Sequence, residues 1–318
     1  MRQEWRFLTE IWGSPEVFDI ASIERDFVRA KAIFPKVNVF RLWMSLDGYI
    51  DNSAGYPVQF NAVLALGAKH DLRFIVTLFN AWQSMPDWGG GQAVGTTDYF
   101  LRAPLNRSEI NASIIPREAF LQALVLPHAR DPAVLVWDVM NEPTPADAHF
   151  VDTTAMWLRE TARVAAHIGV SSACAGRSCL QTYNNHTNVL IIHPYCRGYD
   201  ETGAFVGCYP GGAGKDAKLA FSQALDESVR FANQRKLPLI ATETCWGSLN
   251  DTARALGCSF ELGELAKRNI GFTPHGLRYS KVADLHDYRG GPVGPPGYMA
   301  FLGRELALRP HHEFYNSF

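Results

Sequence analysis

Two segments of this 318-residue chain end an apolar run on groups that do chemistry. Ala133-Val-Leu-Val-Trp-Asp-Val-Met-Asn-Glu-Pro143 finishes on an amide, a carboxylate and a proline. Leu237-Pro-Leu-Ile-Ala-Thr-Glu243 delivers a second carboxylate in the same way. Proline cannot donate to a strand ladder, so Pro143 stops the first run and leaves Asn141 and Glu142 at its carboxyl end. A core strand has no need of such an ending. Two carboxyl groups brought together from different strands can work as a pair. One protonates a leaving oxygen, and the other faces the opposite side of a sugar ring as an oxocarbenium-like centre forms.

The elements that position these groups alternate short β-branched runs with longer helical periods, the pattern of βα units on a parallel sheet. Eight strands are expected: Trp5–Trp12, Val37–Met44, Leu72–Phe79, Val134–Met140, Val170–Ala175, Val189–Pro194, Leu239–Thr242 and Ile270–Thr273. Helical spacing runs over Ile20–Phe34, Asp152–Ile168 and Lys218–Gln234, with a final helix expected at Tyr298–Leu308. The segment between Gly176 and Asn188 has room for only a degenerate helix. The expected fold is a single catalytic (β/α)8 TIM barrel over residues 1–318, with the carboxyl ends of the strands as its working face. Long loops follow the third strand (Ala81–Ile115) and the eighth (Arg278–Gly297); they are expected to wall or cover a cleft.

Composition narrows the classes. At 47% hydrophobic and 19% charged, the chain is that of a globular protein with a large core. A formal net charge of −2 gives no basic excess for a nucleic-acid partner. No apolar run is long enough to span a membrane. The N-terminus lacks the apolar stretch of a signal peptide, so the chain is expected to be intracellular or to have lost a leader. None of the six cysteines has the paired spacing of a structural zinc site. They are expected to be buried free thiols, the alternative being a Cys196–Cys208 disulfide across a Gly/Tyr-rich loop. Four sequons, at Asn106, Asn111, Asn185 and Asn250, matter only in a secretory pathway. No metal and no cofactor are called for.

Further strand ends carry polar groups in an order that resembles clan A glycoside hydrolases, most closely family 5, the cellulase and mannanase family. Val39-Phe-Arg41 is similar to that family's second-strand arginine, which keeps the nucleophile ionised. Asn141-Glu142-Pro143 matches its acid/base signature, and His193-Pro-Tyr195 its His-x-Tyr pair. Glu243 stands where the family keeps its nucleophile. The resemblance covers nearly the whole chain. It implies a retaining hydrolase acting on a β-linked glucan, mannan or related oligosaccharide, with the two carboxyl groups about 5–5.5 Å apart.

It also implies that Asn141 donates to a sugar 2-hydroxyl and that His193 orients Glu142 or touches substrate. Two positions depart from the family pattern. Asn80 stands where a histidine is usual after the third strand, and His275 where a tryptophan usually floors the sugar site, so a neighbouring clan A family stays open.

Aromatic faces pack against pyranose rings. Trp12, Trp43, Trp82, Trp88, Tyr49 and Trp246 fall at or after strand ends and are candidates for sugar contacts, with core packing as the alternative for each. Trp246 is the preferred replacement floor. Trp137, Trp157 and Asp138 are expected to be structural, and His311-His312 a solvated tail. Three competing readings are a catalytically silent carbohydrate-binding barrel, a transglycosylase on the same scaffold, and a metal-dependent hydrolase. The last is disfavoured by the lack of His-x-His spacing at strand ends.

Overall fold

The computed structural model describes residues 18–44, 46, 49, 52–80, 117–199, 205–207, 214–245, 247–277, 299–303 and 305–318. Helix α1 (Ile20–Ile33) begins where the Asp19 side chain accepts from the backbone N–H groups of Ala21 and Ser22. It leads into β1 (Val39–Trp43). Helix α2 (Tyr56–Lys69) then precedes β2 (Arg73–Asn80). A Cβ on Gly67 would meet the Phe74 ring at 2.2 Å, so glycine there lets helix and strand touch. Helix α3 (residues 117–125) precedes β3 (Val134–Asn141). Next come α4 (Ala148–Glu160), β4 (His167–Ser172), α5 (Arg177–Gln181) and β5 (Leu190–Ile192). A small antiparallel hairpin, β6 (Arg197–Tyr199) and β7 (Phe205–Gly207), interrupts the order. Helix α6 (Gly214–Arg235), β8 (Leu239–Ala241), α7 (Asp251–Ala266) and β9 (Gly271–Phe272) follow.

Seven of these strands form one all-parallel sheet in the order β1-β2-β3-β4-β5-β8-β9. They correspond to the second through eighth expected strands. The first, Trp5–Trp12, lies outside the described residues, as do the loops expected at 81–115 and 278–297. The sheet curls with helices against it, the architecture of a (β/α)8 TIM barrel. Among the described residues no helix is long and apolar enough to cross a membrane.

The burial of β3 explains its continuous apolar run: seven of its eight residues are buried, because a parallel strand is covered on both faces. Large apolar side chains pack between the sheet and α2, α3 and α4, with Trp137 fully buried and Trp157 packed against the same cluster, as expected. A second apolar cluster joins β5, β8 and β9 to α6 and α7. A third, small one is the clue to the site. Ile75, Val136, Val189 and Ile191 meet, with Val39 and Ile240 against them. Five of the strands contribute, so this is the inward-facing layer of the barrel.

Four expectations need correction. The fifth expected strand runs His167–Ser172, not Val170–Ala175, and the preceding helix stops at Glu160, not Ile168. Arg163 takes a left-handed conformation (φ 51°) and turns the chain early. The expected Tyr298–Leu308 helix is absent among its described residues. Gly303 and a left-handed Leu306 fold that stretch back instead, so that Leu302 bridges Leu308. His312 is not solvated: it is fully buried, edge-on to Phe301, and donates Nδ1 to the Pro310 carbonyl at 2.8 Å. Burial and the nearby Arg254 charge lower it to about 4. Its neighbour His311 is exposed.

The cysteines are the fourth correction. Cys174 and Cys179 form a disulfide, and Cys196 is also disulfide-bonded. Cys208 lies outside the described residues. Only Cys245 and Cys258 are described as buried free thiols.

Candidate active site

Strand side chains alternate, so the residue two beyond each inward apolar group also faces inward. Two beyond Val39 is Arg41; two beyond Ile75 is Thr77; two beyond Val136 is Asp138. Two beyond Ile191 is His193, and two beyond Ile240 is Thr242. Ser171 on β4 joins the same layer. A polar layer thus rests directly on an apolar one, and the carboxylates sit above it at the strand ends.

Arg41 organises the layer. Its Nε donates to Thr77 Oγ1 at 2.9 Å. Its Nη2 reaches Asp138 Oδ2 and Asn141 Oδ1, each at 2.9 Å, and Ser171 Oγ at 3.0 Å. Its Nη1 is ion-paired to Glu243 Oε1. Burial works against the guanidinium charge, but Asp138 and Glu243 outweigh it. Asp138 is wholly buried and accepts further bonds from Thr77 Oγ1 (2.7 Å), the Ser171 backbone N–H (3.0 Å) and Ser171 Oγ (2.5 Å). Its structural assignment holds, and it points into the barrel, where it fixes Arg41. With Arg41 on Oδ1, the face of the Asn141 amide is set.

Glu243 lies two residues past β8. Tyr195 Oη donates to its Oε2 at 2.7 Å, and His275 Nδ1 stands 3.6 Å away. Burial alone would raise this carboxyl; His193, His275, Arg41 and the Tyr195 hydroxyl overcome it and hold the group at about 2. Burial beside Glu243 and Glu142 pushes the Tyr195 phenol well above its ordinary range, so it stays a donor. With that proton committed to Glu243, the 3.2 Å contact between Tyr195 Oη and His275 Nδ1 is made by the imidazole N–H. Burial lowers His275 against the pull of Glu243.

Glu142 follows β3 in a left-handed conformation, φ 47°, with its N–H bonded to the Ser171 carbonyl at 2.8 Å. His193 Nδ1 lies 2.7 Å from Glu142 Oε1 and 3.5 Å from Glu243 Oε2; its Nε2 lies 2.9 Å from Thr242 Oγ1. One buried imidazole therefore stands between the carboxyl groups. Oxygens of Glu142 and Glu243 and a nitrogen of His193 all fall within 4.8 Å of one another. Among the described residues this is the one set spaced to hold a metal ion, but its donors already serve Arg41, Tyr195 and Thr242, and the Arg41 cation repels a second cation.

The structure thus gathers Arg41, Asn141, Glu142, His193, Tyr195, Glu243 and His275. Trp43 adjoins them, with the Arg41 guanidinium 4.9 Å over its ring. The backbone of Asn80 pairs with Asn141 across β2 and β3; its side chain, with Trp12, Trp82, Trp88 and Trp246, lies outside the described residues. Tyr49 belongs to the core, edge-on to Tyr56 and Phe120. Sequence reasoning did not single out Thr77, Ser171, Thr242 or Glu261. Once the apolar layer is known, inward alternation leads to Thr77 and Thr242; Ser171 lies two beyond Gly169, which carries no apolar side chain.

No family model matches the chain. Mannan endo-1,4-beta-mannosidase 8 of Oryza sativa subsp. japonica is 24% identical over 197 residues, 48% of this chain and 50% of that protein. The chain therefore aligns with about half the length of this curated relative. A GH5 xyloglucan-specific endo-beta-1,4-glucanase from a metagenomic library, solved with cellotriose, superposes with a TM-score of 0.62 at 12% identity over 93% of this chain and 87% of that one. A GH5-4 endoglucanase from Clostridium longisporum gives 0.62 at 12% identity, covering 92% and 84%. A β-glucuronidase from Ruminococcus gnavus gives 0.64 at 12% identity, covering 98% of this chain and 48% of that one. In fold, the chain is similar to the clan A glycoside hydrolases of family 5.

Proposed function

We propose that this protein is a retaining glycoside hydrolase that cleaves β-linked glucan, mannan or related oligosaccharides, with Glu243 as nucleophile and Glu142 as acid/base. The observation that carries this reading is the pair itself. Two carboxyl groups with oxygens within 4.8 Å of each other suit direct attack on a sugar carbon, whereas an inverting pair stands about 6.5–9.5 Å apart to admit a water. Their surroundings also differ in the needed sense. Glu243 is held ionised by Arg41 and Tyr195, while Glu142 faces an imidazole. The mannosidase relative and the GH5 endoglucanase neighbours support a glycan substrate.

In the first step a Glu243 carboxylate oxygen bonds to the anomeric carbon as the glycosidic C–O bond breaks. Glu142 gives its proton to the departing oxygen. In the second step Glu142, now a carboxylate, takes a proton from water, whose oxygen displaces Glu243. His193 can serve both states. With Nε2–H donating to Thr242, Nδ1 accepts from a protonated Glu142; in the other tautomer, Nδ1–H donates to the carboxylate. In this reading Asn141 donates to the 2-hydroxyl and Trp43 lines the adjoining wall.

The test is a hydrolysis screen on aryl β-glycosides and on β-glucan and mannan oligosaccharides, with Glu243→Gln and Glu142→Gln beside the parent. Hydrolysis with retained anomeric configuration, lost in Glu243→Gln, is the expected result. Glu142→Ala should still form the covalent intermediate from an activated aryl glycoside and be rescued by azide. Near-parental activity in both Gln variants, or an inverted product, would sink the assignment; a folded parent silent on every glycoside would favour a binding barrel.

A further inference from the structure

Glu243, Tyr195 and His275 all lie beyond the last residues of their strands, β8, β5 and β9. The three segments are tied from behind to a single helix. On α7, Glu261 Oε2 accepts from Thr244 Oγ1 at 2.6 Å and from the Cys245 backbone N–H at 2.8 Å, next to Glu243. Its Oε1 accepts from the Cys196 backbone N–H at 3.2 Å, next to Tyr195. Seven residues earlier, two helical turns along the same face, Arg254 Nη2 donates to the carbonyls of His275 (3.1 Å) and Met299 (2.5 Å). Both side chains are 1% exposed.

We propose that Glu261, seconded by Arg254, is a positioning residue: it braces the three segments from α7 and so fixes the hydrogen bond from Tyr195 to Glu243. The proposal rests on the reading of Glu243 as nucleophile. Packing alone does not call for an acid at this depth, since burial pushes the Glu261 carboxyl up to about 7 against its donors and Arg254. What the site demands is two acceptor oxygens, one for each segment. An amide has one. In either orientation, a glutamine would turn its NH2 toward the N–H of Cys245 or of Cys196. Thr244 adds a direct link, because its hydroxyl also lies 2.8 Å from the carbonyl of Pro194, the residue before Tyr195. When Glu261 is protonated its O–H donates to Thr244 and the Thr244 proton goes to Pro194. When it is ionised, that proton turns to Glu261. The titratable neighbours on these elements are Arg254 and Cys258 on α7 and Cys245 beyond β8.

The experiment compares Glu261→Gln with the parent by carbon-13 NMR of labelled glutamate carboxyls from pH 3 to 6, Glu243 being assigned from its absence in Glu243→Gln. The groups facing Glu243 are Arg41, His193, Tyr195, His275 and Glu142. In the parent Glu243 should stay ionised throughout. In Glu261→Gln a slackened Tyr195 bond should bring its protonation into this range, and on a dinitrophenyl β-glycoside, which exposes the second step, kcat and KM should fall together by up to roughly tenfold. Should Glu261→Gln fail to fold, Thr244→Val is expected to reproduce the shift and Thr244→Ser to abolish it. Parental Glu243 titration and parental kcat in folded Glu261→Gln or Thr244→Val would overturn the brace, leaving Glu261 a matter of stability only. The titration needs no substrate. A shifted Glu243 in a protein that hydrolyses no glycoside would uphold the brace and overturn the glycosidase reading instead.

Discussion

Replacing Tyr195 by phenylalanine removes one hydroxyl and little volume, and its effect can be worked from the geometry. The lost bond, 2.7 Å from Tyr195 Oη to Glu243 Oε2, has an ionised acceptor. Such a bond contributes about 1.5–3 kcal/mol. At about 1.4 kcal/mol per tenfold, that is a factor of roughly ten to a hundred. Glu243 is held low, at about 2, so losing a donor to its charged form raises it. The acid limb of kcat/KM governed by Glu243 should move up by about one to two pH units and still lie below the ordinary glutamate value, because Arg41 remains.

On the proposed mechanism, Glu243 is ionised at pH 6 in either protein, so its attack on the sugar survives. The second step fares worse, since there Glu243 is the leaving group and has lost a group that stabilises its departing charge. It should slow by the same factor of roughly ten to a hundred. With a dinitrophenyl β-glycoside, Tyr195→Phe should therefore show a burst of one equivalent of dinitrophenol, with kcat and KM falling together. An acid limb that stays put and a kcat within threefold of the parent would refute the reasoning.

Asp138→Asn should cost about 3–5 kcal/mol of folding stability, since it leaves the buried Arg41 short of one of its two anionic partners and turns an NH2 toward donors. Urea unfolding at pH 7 with an unchanged m-value would show it; a loss under 1 kcal/mol would mean the layer rearranges. His312, lowered from 6.5 to about 4, contributes stability above pH 6.5 that is lost as pH falls toward 4, by at most about 3 kcal/mol. His312→Phe should flatten that part of the stability-versus-pH curve, and an unchanged slope would assign it elsewhere.

Much of this architecture was legible because the strands read as nearly unbroken apolar runs, β2 and β3 being buried on both faces. Val37–Met44, Leu72–Phe79 and Val134–Met140 each match the observed strand to within two residues at either end. Arg41, Glu142, His193, Tyr195 and Glu243 stood out because a polar group at the end of such a run demands a reason. The supporting layer was harder. Thr77, Ser171 and Thr242 are ordinary strand residues until strand neighbours and register are known, and the direction of Asp138 was open until β3 was set against β1 and β4. Glu261 was beyond reach, since on a helix an inward glutamate and a solvated one have the same local sequence. The segment from Arg163 to Ser172 misled for a different reason: helix α4 gives way to a turn at a left-handed arginine, which no residue preference announces.

The backbone at Glu142 bears on the history of such a chain as well as its chemistry. A glutamate at φ 47° carries a side chain where glycine would sit at no steric cost, a penalty of about 1–2 kcal/mol. Folding therefore gains if this carboxylate is given up. On the proposed mechanism, a lineage released from the need for turnover would drift toward glycine or asparagine at 142, becoming sturdier as it became inert. The side chain at that position is kept at a conformational cost, and a Glu142→Gly variant would, on the proposed mechanism, gain stability while losing turnover.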